Sequence, residues 1–169
     1  MKKNIGNLKK AAVEIGQLLA SNGKLCNLLY LDTPDALQIE PQTYSLNEMI
    51  NDKYITVYPP VETAIKNAER NTFIVILLDN INLHVTDSNL RAGFTVYITT
   101  DADHILLNEN KNRLLEMCDE VLATLDETKL SSAGAIEVTS IAHVMLSEFR
   151  AGYRIALSIT DQNNRKAEI

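Results

Sequence analysis

Glycine is scarce in this sequence, at six residues, and no two of them form the closely spaced set that cradles a phosphate. A Walker-type loop, a G-x-S-x-G elbow and an S-x-x-K with suitable partners are all missing, which removes the commonest nucleotide-binding and nucleophile signatures. Cysteine is limited to Cys26 and Cys118. Each falls within an apolar helical pattern, so both are read as small core residues of a reducing compartment, outside any disulfide or metal site. The three histidines, His84, His104 and His143, never stand at i, i+4 on a helix, and no carboxylate set converges with them in the sequence. Tryptophan is absent and there are four prolines. No apolar run approaches the ~20 residues of a membrane-spanning helix. The stretch 5–20 is broken by Lys9, Lys10, Glu14 and Gln17, which excludes a signal-peptide core. The chain is expected to be made in the cytosol and to stay there until a larger particle carries it elsewhere.

What remains is the composition of a globular protein, 46% hydrophobic and 22% charged, with a net charge of −6. A mildly acidic chain repels nucleic acid, so wholesale phosphate binding is not expected. Lys2, Lys3, Lys9 and Lys10 near the N-terminus read as a solvated helix face. At 169 residues the chain fits one domain able to bury roughly 70% of its unfolded surface.

Periodicity supplies the elements. Leu8, Ala11, Ala12, Ile15, Leu18 and Leu19 recur at helical spacing, and Asn22-Gly23 reads as the stop, with glycine taking the left-handed conformation. Leu25, Leu28 and Leu29 suggest another short helix before Thr33-Pro34. Ser45 and Glu48 fit a capping box for a helix from Leu46 to Asn51, and residues 54–58 alternate as a short strand ended by Pro59-Pro60. Residues 72–79 are apolar on both faces, as in a covered strand, and Ile81, Leu83 and Val85 continue in alternation to a turn at Asp87-Ser88-Asn89. Phe94, Val96 and Ile98 mark one face of a strand over 90–100. A second long helix is predicted over 108–126, with Leu114, Cys118, Val121 and Leu125 as its stripe, widened by Leu115 and Leu122. Two strands close the chain, 135–147 with a bulge near Thr139–Ile141, then a turn over 148–152, then Tyr153, Ile155, Leu157 and Ile159 in alternation. The fold class is therefore α+β: a mostly antiparallel sheet with an amphipathic N-terminal helix and a second long helix packed on it. Residues 1–160 are expected to form a single domain, including a loop-rich arm at about 33–71, with 161–169 a flexible tail.

No catalytic, cofactor-binding or metal-binding residue is assigned. Asp101/Asp103 and Asp119/Glu120 read as helix first turns and solvated faces rather than acid–base pairs. The Asn- and Asp-rich run 79–87 lacks the order and closing Glu of a calcium loop. An alternative is a metal-dependent nuclease using Asp79, Asp87 and Asp101; another is a small acidic regulatory module that binds a partner through residues 54–60. Phe149-Arg150 reads either as an interface pair or as a capped turn.

The order of features resembles the neck proteins of long-tailed bacteriophages, the tail-terminator and head–tail connector group. The likeness runs over most of residues 5–160. It is carried by the amphipathic first helix and the leucine-rich segment ending at Asp32-Thr33-Pro34, then by the arm Met49-Ile50-Asn51-Asp52-Lys53-Tyr54-Ile55 leading to Tyr58-Pro59-Pro60. The strands Asn71-Thr72-Phe73-Ile74-Val75-Ile76 and Ala151-Gly152-Tyr153-Arg154-Ile155 complete it. That resemblance implies a structural virion protein that is not an enzyme: a homo-oligomeric ring, hexameric or dodecameric, between connector and tail. Its partners would be other neck, connector and tail-tube proteins, with DNA only as passing cargo and no membrane. The contacts are expected on the arm and strand edges, at Tyr54, Tyr58, Pro59, Pro60, Phe149 and Arg150.

Overall fold

The computed structural model describes residues 6–57, 70–83 and 90–161. Three helices come first, α1 (Gly6–Ala20), α2 (Gly23–Tyr30) and α3 (Leu46–Asn51), followed by the short strand β1 (Ile55–Val57). Strands β2 (Thr72–Leu83) and β3 (Leu90–Asp101) lead through two single 3-10 turns to α4 (Arg113–Leu125), and β4 (Ile136–Ser147) and β5 (Arg150–Asp161) close the chain. The strands form one sheet in the order β1-β2-β3-β5-β4, antiparallel except for the β1–β2 pair. This is the α+β class expected from periodicity.

One face of the sheet carries Ile74, Ile76, Phe94, Val96, Ile98, Ile155, Leu157 and Ile159 into the core, where they meet Leu8, Ile15 and Leu19 of α1 and Leu114, Met117, Val121 and Leu125 of α4. Each such side chain, buried whole, stabilises by about 1.5–3 kcal/mol relative to exposure. The capping box forms as expected, with Ser45 Oγ accepting from the Glu48 amide and Glu48 accepting from the Ser45 amide. The bulge in β4 also lies where parity slips, between Val138 and Ser140.

Several boundaries differ from the sequence expectation, each for a local reason. Gly23 is no left-handed stop, since none of the described glycines has positive φ. Asn22 instead caps α2, accepting from the Leu25 amide at 3.0 Å. Gly23 is the first residue of that helix, and a side chain is excluded there because a Cβ would lie 2.8 Å from the Pro41 Cβ. Helix α4 begins at Arg113 rather than 108, because Glu109 and Asn110 take φ of 61° and 59°, and Asn112 then caps it. Its stripe includes Met117, fully buried, whereas Leu115 is 49% exposed; a 100° step per residue turns position 115 away from the 114–118–121–125 face. The β4–β5 turn is tighter than 148–152. Strand β5 already starts at Arg150, and Gly152 sits inside it where a Cβ would lie 2.2 Å from the Ile98 carbonyl oxygen. Strand β1 begins at Ile55, one residue later than the expected start at Tyr54. The turn expected at Asp87-Ser88-Asn89, the strand end at Tyr58-Pro59-Pro60 and the tail beyond Asp161 lie outside the described residues.

Candidate interaction surface

Among the described residues, exposed large apolar side chains are spread over the helices, loops and sheet, and the three most exposed lie at or near one end of the sheet. Met145 is 66% exposed and Phe149 73%, and Leu106, in the loop that leaves β3 at that end, is 72% exposed. The underlying frame is rigid. Arg150 Nε donates to Asp101 Oδ1 at 2.6 Å and Nη2 donates to the Arg70 carbonyl at 3.3 Å, while the guanidinium lies 5.1 Å from the Phe73 ring centroid. The Ala102 amide donates to the Phe149 carbonyl at 2.8 Å, tying the hairpin turn to the loop after β3. Between them lies an open cleft of about 490 Å³ lined by Asp101, Ala102, Asp103, Leu146, Phe149 and Arg150. Arg150 is therefore a strut, with 13% of its side chain exposed, and Phe149 is the group presented.

A second cluster forms a column. Tyr44 stacks on Tyr30 at 4.1 Å, Tyr54 packs on Tyr30 at 3.9 Å with its ring tilted by 33°, and the Arg70 guanidinium lies 4.5 Å from the Tyr54 centroid. Tyr30 Oη donates to Asp52 Oδ2 at 3.2 Å, and Arg70 Nε donates to the Asp52 carbonyl at 2.9 Å. Burial, then the hydrogen bond and negative charge of Asp52, push the Tyr30 phenol up. Burial likewise raises Tyr54, against the opposing Arg70 charge. Both phenols stay neutral across the ordinary pH range, so the column is a packing device.

The YomW family profile matches residues 22–159, well over half of the sequence. The chain belongs to the YomW family. That family is phage-derived, and no helix among the described residues is long and apolar enough to cross a membrane. No curated protein matches the chain. Among solved structures, a crystal structure from Akkermansia muciniphila is similar over 95% of this chain and 89% of that one, at 9% identity and a TM-score of 0.39, a level that bears on neither fold nor function.

In this YomW chain the residues singled out from sequence scatter. Tyr54 is 7% exposed within the column, whereas Phe149 and Arg150 share the hairpin end. Tyr58, Pro59 and Pro60 lie outside the described residues, as do His84 and Asp87. Asp79 sits at the bulge in the middle of the β2–β3 pair and Asp101 at the end of β3, and each is engaged, Asp79 accepting from Thr95 Oγ1 and Asp101 from Arg150. No group of three or more metal-ligating side chains converges among the described residues. Glu120 accepts from Asn22 Nδ2 at 3.0 Å and lies 3.6 Å from Lys24 Nζ, a helix-to-helix tie. Burial pushes the thiols up, Cys26 to about 11 and Cys118 to about 12, leaving both protonated.

Two polar residues with structural consequence are not apparent from motifs. Arg113 is 1% exposed, and its guanidinium donates to the carbonyls of His104, Leu28, Leu31 and Thr33 at 2.6–2.8 Å. It satisfies carbonyls at the end of α2, where a cation is favoured. Burial lowers its pKa, and the Asp32 charge works the other way. Asn27 is 4% exposed; Nδ2 donates to the Ala36, Ile39 and Glu40 carbonyls at 3.4, 2.9 and 3.3 Å, and Oδ1 accepts from the Gln42 amide at 3.3 Å. The available signal is positional. Arg113 falls on the Met117–Val121 face, and Asn27 interrupts Leu25, Cys26, Leu28 and Leu29.

Proposed function

We propose that this phage-derived chain is a structural virion protein of the neck, a tail terminator or head–tail connector that acts as a homo-oligomeric ring and catalyses nothing. One observation carries the reading. A braced hairpin end presents Phe149 and Met145 to solvent, and exposed apolar clusters of this kind mark protein contacts. Bracing by Arg150 and Asp101 suits docking, since a surface held in place loses little freedom on binding. In this reading the contacts are further copies and neighbouring neck, connector and tail-tube proteins, and the protein ends in the virion after synthesis in the host cytoplasm. The net charge of −6 favours a channel that DNA traverses without sticking.

The test is removal of the gene from the phage, followed by electron microscopy of the lysate. Filled heads separate from tails, or tails of uncontrolled length, are the expected result, with the tagged protein located at the head–tail junction of complemented particles. Normal particles lacking the protein would refute the neck role.

A further inference from the structure

Strand β4 lies at the edge of the sheet, paired on one side with β5. Such edges are ordinarily protected by charge, proline or brevity. This one is twelve residues long, and residues 138–147 contain no lysine, arginine, aspartate, glutamate or proline. Its outer half is also uncovered: Ile141 is 43% exposed, Met145 66%, and His143 is exposed with its ring edge-on to Tyr153 at 5.4 Å. The three alternate on the face that, further in, carries the core, as shown by their partners Ile155, Tyr153 and Ala151.

We propose that this edge binds the same edge of a second copy, in antiparallel register about a two-fold axis at His143. It takes from the neck reading only that the chain binds its own kind. Charge permits a second copy as the occupant, because two molecules of net charge −6 meet with least repulsion where neither carries charge, and residues 138–147 carry none. Antiparallel pairing about residue 143 sets Ile141 opposite Met145 of the second copy, twice, joining the two most exposed apolar groups of the strand. On the other face Ala142 meets Val144. The bulges at Val138/Ser140 and Met145/Ser147 bound the regular run in between. A contact built on one strand edge falls at the small end of specific interfaces, below about 1,200 Å² in total, so the dimer is weak and reversible. It is isologous, distinct from the head-to-tail contact that closes a ring.

The experiment uses the full chain. Substitution His143→Cys places two thiols across the axis, while native Cys26 and Cys118 are buried. Mild oxidation is expected to yield a disulfide-linked dimer, and Val13→Cys, on exposed α1 surface, is the control that yields none. In the second arm, His143→Lys and His143→Glu each weaken self-association about tenfold in sedimentation velocity, by placing like charges opposite each other, and an equimolar mixture restores it. Failure of either variant to fold would show in circular dichroism, leaving the cysteine arm to decide. Crosslinking at position 13 and not 143, or no rescue on mixing, overturns the proposal. So does a strict monomer, which would assign the edge to a strand of another protein. Rings without a 143 crosslink would refute this pairing and leave the neck reading standing.

Discussion

The two ends of strand β5 live in different surroundings. Toward its C-terminal end Ile155, Leu157 and Ile159 lie under the helices, at most 2% exposed, with Phe94 and Val96 beside them. Toward the turn, the neighbours of β5 include Met145 and Phe149, which stand in water. Both stretches belong to long antiparallel ladders, so hydrogen bonding does not distinguish them. The helix layer does. Where α1 and α4 cover the sheet, apolar side chains stabilise the fold; beyond that cover they contribute less to the monomer and leave surface available for contacts.

The largest expected effect comes from the covered side. Replacing Arg113 by Ala leaves carbonyls of Leu28, Leu31, Thr33 and His104 without their donor and opens a cavity. A loss of about 3–5 kcal/mol is expected by urea denaturation. A loss under 1 kcal/mol would mean water replaces the guanidinium and that α2 is not held from α4. Asn27→Ala comes next. It strips the hydrogen bonds that fold residues 36–42 over α2, for an expected loss of about 1–3 kcal/mol and faster proteolysis within that loop.

These two residues also mark the limit of sequence reading. Hydrophobic period alone was enough for α1, the paired strands and the β4 bulge, because the burial of Leu8, Ile15, Phe94 or Ile155 follows from spacing. Arg113 and Asn27 depend on carbonyls 80 and about ten residues away in the chain, which no local pattern encodes. The start of α4 was misplaced because left-handed φ at Glu109, a non-glycine, is invisible to propensity. At the candidate surface, Phe149 and Arg150 were legible as a pair, yet their division into presented ring and bracing strut needed Asp101, which only β-pairing brings alongside.

A smaller effect tests the join between α1 and the loop before β4. Burial raises the Glu14 carboxyl, but hydrogen bonds from Ser131 and Ser132 outweigh it and hold the group below its ordinary value of 4.5. A carboxylate lowered in the folded state adds stability above the unfolded value, and this is lost as pH falls through the folded one. The side chain is half-buried and still screened by solvent, so Glu14→Gln is expected to cost no more than about 1 kcal/mol at pH 7. The gap between variant and parent should narrow as pH falls from 4.5 through the lower folded value. A gap independent of pH would assign the effect to packing.

The smallest change in stability is expected where the change in behaviour is greatest. Phe149 contributes its backbone to the turn, through the carbonyl that accepts from Ala102, and its ring to solvent. Phe149→Asp keeps the former and removes the latter, so unfolding should shift by no more than about 0.5 kcal/mol. Added negative charge on an already acidic molecule also opposes association with acidic copies. On the proposed neck role, assembly should then fail with the monomer intact, measured by complementation of the gene deletion alongside thermal unfolding. A variant that loses both together would show the hairpin end to be part of the core, and the contrast between covered and uncovered sheet would collapse.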